Sequence, residues 1–151
     1  MTAVEFFVQG DPVTQGSKNT YVNKRTGRVN VVESRHRELQ AWRRVIGMRW
    51  KQARVEPVIG AVKIDLWFLL PRPKSHYGTG RNAGTIKQSK ALEVPAVKPD
   101  ADKLTRAVFD ALTQAGAIED DARIIGYSTN KRYAAAPHQA GVRITITPWK
   151  G

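Results

Sequence analysis

The stretch from Ala61 to Leu70 limits the fold most: Val62, Ile64, Leu66, Phe68 and Leu70 fall at every second position, and Pro71 ends the run. Successive side chains on a strand point to opposite faces, so this spacing specifies a core strand, which proline cannot continue. Such a strand needs a covering layer, and two segments have the helical period to supply it. From about Arg35 to Arg54, with Ser34 as a candidate cap, Leu39, Trp42, Ile46, Trp50 and Ala53 recur at steps of three and four. From Pro99 the period returns in Leu104, Val108, Ala111, Leu112 and Ala115, and Gly116 is placed to end that helix.

The remaining segments read as strands and loops. Val4 to Gln9 is a strand closed by Gly10, and Gly10 to Thr20 is polar enough for a loop. Tyr21 to Asn23 and Arg28 to Val32 flank Lys24-Arg25-Thr26-Gly27 and predict a hairpin. Arg123 to Tyr133 and Val142 to Pro148 predict two last strands, turned into a second hairpin by His138 to Gly141. The expected architecture is one α+β domain over residues 1–151, with a mixed or antiparallel sheet and two main helices. Residues 71–97 lack periodicity and carry Arg72, Lys74, Arg81, Lys87 and Lys90 with no acid before Glu93. They read as a flexible loop, either a surface excursion or a basic flap that orders on nucleic acid.

Charge narrows the partner. The chain has 25 Lys and Arg against 13 Asp and Glu, a net charge of +12. Such an excess calls for a polyanion, whose condensed counterions are released on binding. Nucleic acid fits; a membrane does not, because no run of about 18 apolar residues is present. The absence of cysteine excludes disulfides and Cys-based metal sites, and the N-terminus lacks a secretory pattern, so cytoplasmic residence is expected. His36, His76 and His138 are too scattered for a histidine site and read as surface or loop residues. Ser17-Lys18 after Gly16 is at most a weak phosphate-loop signal, and Trp42, Trp50 and Trp67 read as packing residues.

Within so basic a chain the scarce acids are bunched: Asp100 and Asp102 sit on the entry turn of one helix, and Asp120 and Asp121 lie at the start of a strand. Hard divalent cations take a few carboxylates plus phosphate oxygens, so Asp100, Asp102 and Asp121 suit a metal centre if Gly116 folds the chain back to one sheet edge. The alternative is structural: Asp at a helix start caps free N–H groups, and Glu119-Asp120-Asp121 is a solvated turn. Arg106, four residues from both Asp102 and Asp110, is either an ion-pair partner or a clamp for the scissile phosphate. The basic side of the first helix is either solvated or a DNA contact.

Asp100-Ala101-Asp102-Lys103, then Phe109-Asp110-Ala111-Leu112, Gly116 and Asp120-Asp121, closely resembles the signature of the RusA family of Holliday junction endodeoxyribonucleases. The resemblance implies a homodimer that binds four-way DNA junctions and, with Mg²⁺ or Mn²⁺, cuts two opposed strands in DNA recombination and repair. It aligns Asp100, Asp102 and Asp121 with the family's three essential acids and puts Asp120 beside them. Two positions depart: Lys103 stands where the family usually has Asn, and Arg106 where it has Lys. Arg keeps the charge needed to clamp phosphate but does not readily exchange a proton. Lys18, Lys98, Lys103 and the cations of residues 71–97 are the expected DNA contacts. A non-catalytic branched-DNA-binding protein and a metal nuclease for flaps or other branched DNA are the competing readings.

Overall fold

The computed structural model describes residues 2–15, 18–22, 24–33, 36–53 and 56–150. Ser34, the expected helix cap, lies outside the described residues, as do Gly16, Ser17, Arg35 and Arg54. The chain runs β1 (Val4–Gln9), β2 (Lys18–Val22), β3 (Val29–Glu33), α1 (His36–Ala53), β4 (Val62–Leu70), α2 (Ala101–Ala115), β5 (Ile124–Tyr133) and β6 (Gly141–Pro148). The first hairpin forms as expected, Val22 opposite Val29, but β2 begins at Lys18, inside the stretch expected to be loop. Thr20 and Tyr21 suit a strand even though the residues before them are polar.

The main sheet has the order β1-β6-β4-β5. β6 is antiparallel to both β1 and β4, whereas β4 and β5 run parallel. The sheet is therefore mixed, and the expected hairpin between the last two strands does not exist: β4 lies between them. The reason is burial. Val142, Ile144 and Ile146 of β6 are wholly buried and need a neighbour on each side, while β5 carries Ser128, Asn130 and Arg132 and is tolerable only at an edge. The residues that sequence alone assigns to a turn instead carry the chain across β4 by way of a short 3₁₀ turn, Pro137–Gln139.

Both helices cover one face. Val62, Ile64, Leu66, Phe68 and Leu70 of β4 point to it, as do Phe6 and Val8 of β1, and they meet Leu39, Trp42, Ile46 and Trp50 of α1 and Leu104, Val108 and Leu112 of α2. Gly47 permits the helices to close up: a Cβ there would stand 3.3 Å from that of Ala115. Trp42 and Trp50 are core residues as expected, but Trp67 takes the opposite parity, faces solvent on the open side of the sheet and stacks under Arg132 at 5.2 Å.

Residues 71–97 contain single 3₁₀ turns at Lys74–His76, Gly80–Asn82 and Gln88–Lys90 and one antiparallel bridge, Tyr77 to Ile86. They are held together from within. The Arg72 guanidinium donates to the carbonyls of Lys90 (2.9 Å) and Ala91 (3.0 Å) and stacks on Tyr133 at 5.0 Å. His76, expected as a surface or loop residue, lies in this loop but is buried, with Nε2 3.1 Å from Glu93.

Candidate active site

Helix α2 begins where β4 and β5 end. Lys131 of β5 donates from Nζ to the carbonyls of Val97 and Pro99, both at 2.8 Å, and so fixes the strand that delivers Asp100. From the other side, the Gln15 amide donates to the Lys103 carbonyl at 3.1 Å, docking the loop after β1 onto the first turn of α2. Between these supports lies a cleft of about 470 Å³, walled by Leu70, Pro71, Pro95 and Tyr133 and opening on Asp100 and Lys103.

Asp100 occupies the N-cap position, but its carboxylate caps nothing; only its main-chain carbonyl joins the helix, accepting from Leu104 at 3.0 Å. The carboxylate is half exposed and 3.7 Å from Lys103 Nζ. An aspartate that does not cap is available for other chemistry, which weighs against the purely structural reading. Asp102 and Arg106 are exposed on the same helix, and among the described residues no ion pair links Arg106 to Asp102 or Asp110.

Asp120 and Asp121 follow the other end of α2. Gly116 takes the left-handed conformation at φ 74° that lets the helix stop, and its amide reaches back to the carbonyls of Leu112 and Thr113. Val58 then bridges Ile118, and Glu119 accepts from the Gly60 amide at 2.6 Å, so the turn carrying the acids is tied to the start of β4. A hydrogen bond with Asp120, helped by slight desolvation and repulsion from Asp120 and Asp110, outweighs a backbone hydrogen bond that acts the other way and raises the Asp121 carboxyl above its ordinary range. Asp110 thus belongs to this acidic neighbourhood. The sequence signal for it was the Phe-Asp-Ala-Leu motif itself.

The two acidic groups do not meet within one chain. Helix α2 runs antiparallel to β5, with Thr105 bonded to Thr129 at 2.7 Å and Phe109 edge-on to Tyr127 at 5.2 Å. The start of β5 therefore lies beside the end of α2, and the expectation that Gly116 returns Asp121 to Asp100 and Asp102 is not met. At about 1.5 Å rise per residue, Asp102 and Asp110 are about 12 Å apart along the axis. Among the described residues no three His, Asp or Glu side chains are grouped to hold a metal ion.

The donor chemistry nevertheless fits a hard cation: every candidate ligand is a carboxylate, and neither His nor Cys stands among them. Of the expected DNA contacts, Lys98, Lys74, Arg81 and Lys87 are exposed, and Lys103 is partly exposed at the cleft. Lys90 pairs with Glu93 at 3.5 Å, and Arg72 is engaged by its own segment. Lys18 is placed in β2. The sequence reading missed Lys131, although its place between Thr129 and Tyr133, on the parity that faces α2, was a signal that this lysine is structural.

No helix among the described residues is long and apolar enough to cross a membrane. No curated protein matches the chain significantly. The sequence model of the family Endodeoxyribonuclease RusA matches residues 9–147, nearly the whole chain and both acidic groups with it, and the protein therefore belongs to the RusA endodeoxyribonuclease family.

Proposed function

We propose that the protein is a metal-dependent Holliday junction endonuclease that nicks two opposed strands of a four-way junction, serving DNA recombination and repair. The observation that carries this reading is the family match over residues 9–147, on a chain whose Asp100 carboxylate is free of capping duty. Asp100 and Asp102 from one subunit of a homodimer and Asp121 from the other are the ligands for Mg²⁺ or Mn²⁺, and Asp120 orients Asp121. When bound, the cation polarises the scissile phosphate and lowers the pKa of an attacking water.

The chain's own side chains do the rest. Arg106, with no carboxylate partner among the described residues, clamps the phosphate as charge builds on it, and Lys103 at the cleft mouth holds the adjoining backbone. Lys18, Lys98 and the basic segment at 71–97 hold the arms through phosphate contacts. A two-fold homodimer matches the approximate symmetry of a junction and presents one site to each of two equivalent strands. The experiment is cleavage of an end-labelled synthetic four-way junction and of its linear duplex arms, with Mg²⁺ or with EDTA. Paired nicks in the junction alone, in Mg²⁺ alone, are expected. Equal cutting of linear duplex removes the junction assignment, and cutting in EDTA removes the cation.

A further inference from the structure

Residues 92–97 hold three large apolar side chains in the open: Leu92 is 96% exposed, Val94 52% and Val97 63%. A single exposed leucine needs no explanation, but three such groups in so short a stretch form a strip.

The backbone that displays the strip is fixed on both sides of Leu92. The Arg72 guanidinium holds the carbonyls of Lys90 and Ala91 at 2.9 and 3.0 Å, and the Glu93 amide closes a turn onto the Lys90 carbonyl at 3.1 Å. The Glu93 carboxylate meets buried His76 at 3.1 Å and Lys90 at 3.5 Å. Further along, Lys131 holds the Val97 carbonyl at 2.8 Å. A buried histidine and a stacked arginine thus fix a turn whose outermost side chain is almost wholly in solvent. Fixing it costs conformational entropy and hides none of the leucine within the subunit, so the group that Leu92 serves lies outside it.

The surroundings select that group. Lys87 and Lys98, both exposed, flank the strip, and Glu93, the sole acid of residues 71–97, is already paired. Protein interfaces are depleted in lysine, whereas nucleic acid offers phosphates to the cations and base faces to the apolar groups. The strip also leads to the reaction, because Pro95 and Val97 wall the cleft that opens on Asp100 and Lys103. Apolar side chains that enter DNA part neighbouring bases, at a cost that is smallest where stacking is already interrupted. The centre of a four-way junction is such a place.

We propose that Leu92, backed by Val94 and Val97, is a wedge that enters the centre of a four-way junction and holds the branch-point bases apart, so that the strand to be cut lies along the cleft towards Asp100. This rests on the junction substrate named under Proposed function, but not on which acids bind the cation.

The test uses synthetic four-way junctions with 2-aminopurine at the branch point or in mid-arm, bound by the full chain in EDTA so that no strand is cut. Unstacking of 2-aminopurine raises its fluorescence. Binding of wild type, followed independently by gel shift, should raise the branch-point signal and leave the mid-arm signal unchanged. Leu92→Ala should still bind and melt as wild type does, but lose the rise; Leu92→Met, which keeps an apolar side chain of similar size, should restore it. A full rise with Leu92→Ala overturns the wedge, and so does wild type bound without any rise. Sedimentation guards against the other occupant of an apolar strip, a second copy of the chain: a Leu92→Ala protein that is monomeric where wild type is dimeric makes the strip a subunit contact and overturns the proposal. Failure of wild type to bind the four-way junction at all instead removes the junction assignment, and the wedge with it.

Discussion

Replacing Lys131 with Met tests the frame that presents the first acidic group. Methionine keeps most of the apolar stem and removes the ammonium, which donates at 2.8 Å to the carbonyls of both Val97 and Pro99. A hydrogen bond to a charged group contributes roughly 1.5–3 kcal/mol, and the partial exposure of Lys131 screens it, so about 1 kcal/mol per bond is appropriate. The loss is then about 2 kcal/mol, which for a chain of this size lowers the melting temperature by roughly 4–8 °C. Differential scanning calorimetry reads the shift directly. Pro99 immediately precedes Asp100, so single-turnover junction cleavage should fall by more than junction affinity does, and Lys131→Arg should recover part of both. A Lys131→Met protein that melts within 1 °C of wild type and cleaves at its rate would refute the claim that this lysine holds the site.

Arg106→Ala should lose more rate than affinity, because a clamp on the attacked phosphate tightens as charge develops while the wider basic surface keeps DNA bound; saturating single-turnover cleavage unchanged from wild type would reassign Arg106 to ordinary backbone contact. Asp121 has a raised carboxyl pKa in the fold, so its contribution to stability is present at low pH and is lost as pH rises through the folded-state value. In EDTA, Asp121→Asn should therefore melt at or above the wild-type temperature at neutral pH, with the difference closing in acid; a lower melting point at neutral pH would contradict that sign. Residues 71–97 should gain amide protection in hydrogen exchange when a four-way junction binds. Equal, strong protection in both states would mean that this segment does not order on DNA.

Elements with strong periodicity were legible in the sequence. The alternation of Val62 to Leu70 and the three-and-four spacing of Trp42, Ile46 and Trp50 reflect burial on one face, and burial is what the fold realises. Topology was less legible. Val142, Ile144 and Ile146 look like half of a hairpin with β5, yet β4 intervenes, because pairing depends on which strands need two neighbours and not on nearness in sequence. The same limit governs the site. Asp100, Asp102, Asp120 and Asp121 stood out by composition and motif, but their separation depends on β5 running antiparallel to α2, which spacing does not encode. The Arg72–Tyr133 stack and the Lys131 contacts join residues far apart in the chain, so a charged residue in a loop or strand looks solvated until the tertiary structure provides its partners.

The central claim is that the paired aspartates beside α2 are what make this basic fold a nuclease. Its most direct test is the single-turnover rate at which Asp102→Asn cuts a four-way junction in Mg²⁺, measured at protein concentrations where binding is complete. The carboxamide removes one cation ligand and one negative charge facing the phosphates. The expected result is junction affinity equal to or slightly above wild type with cleavage abolished, and Asp100→Asn and Asp121→Asn behaving alike. Near wild-type cleavage by all three variants would contradict it.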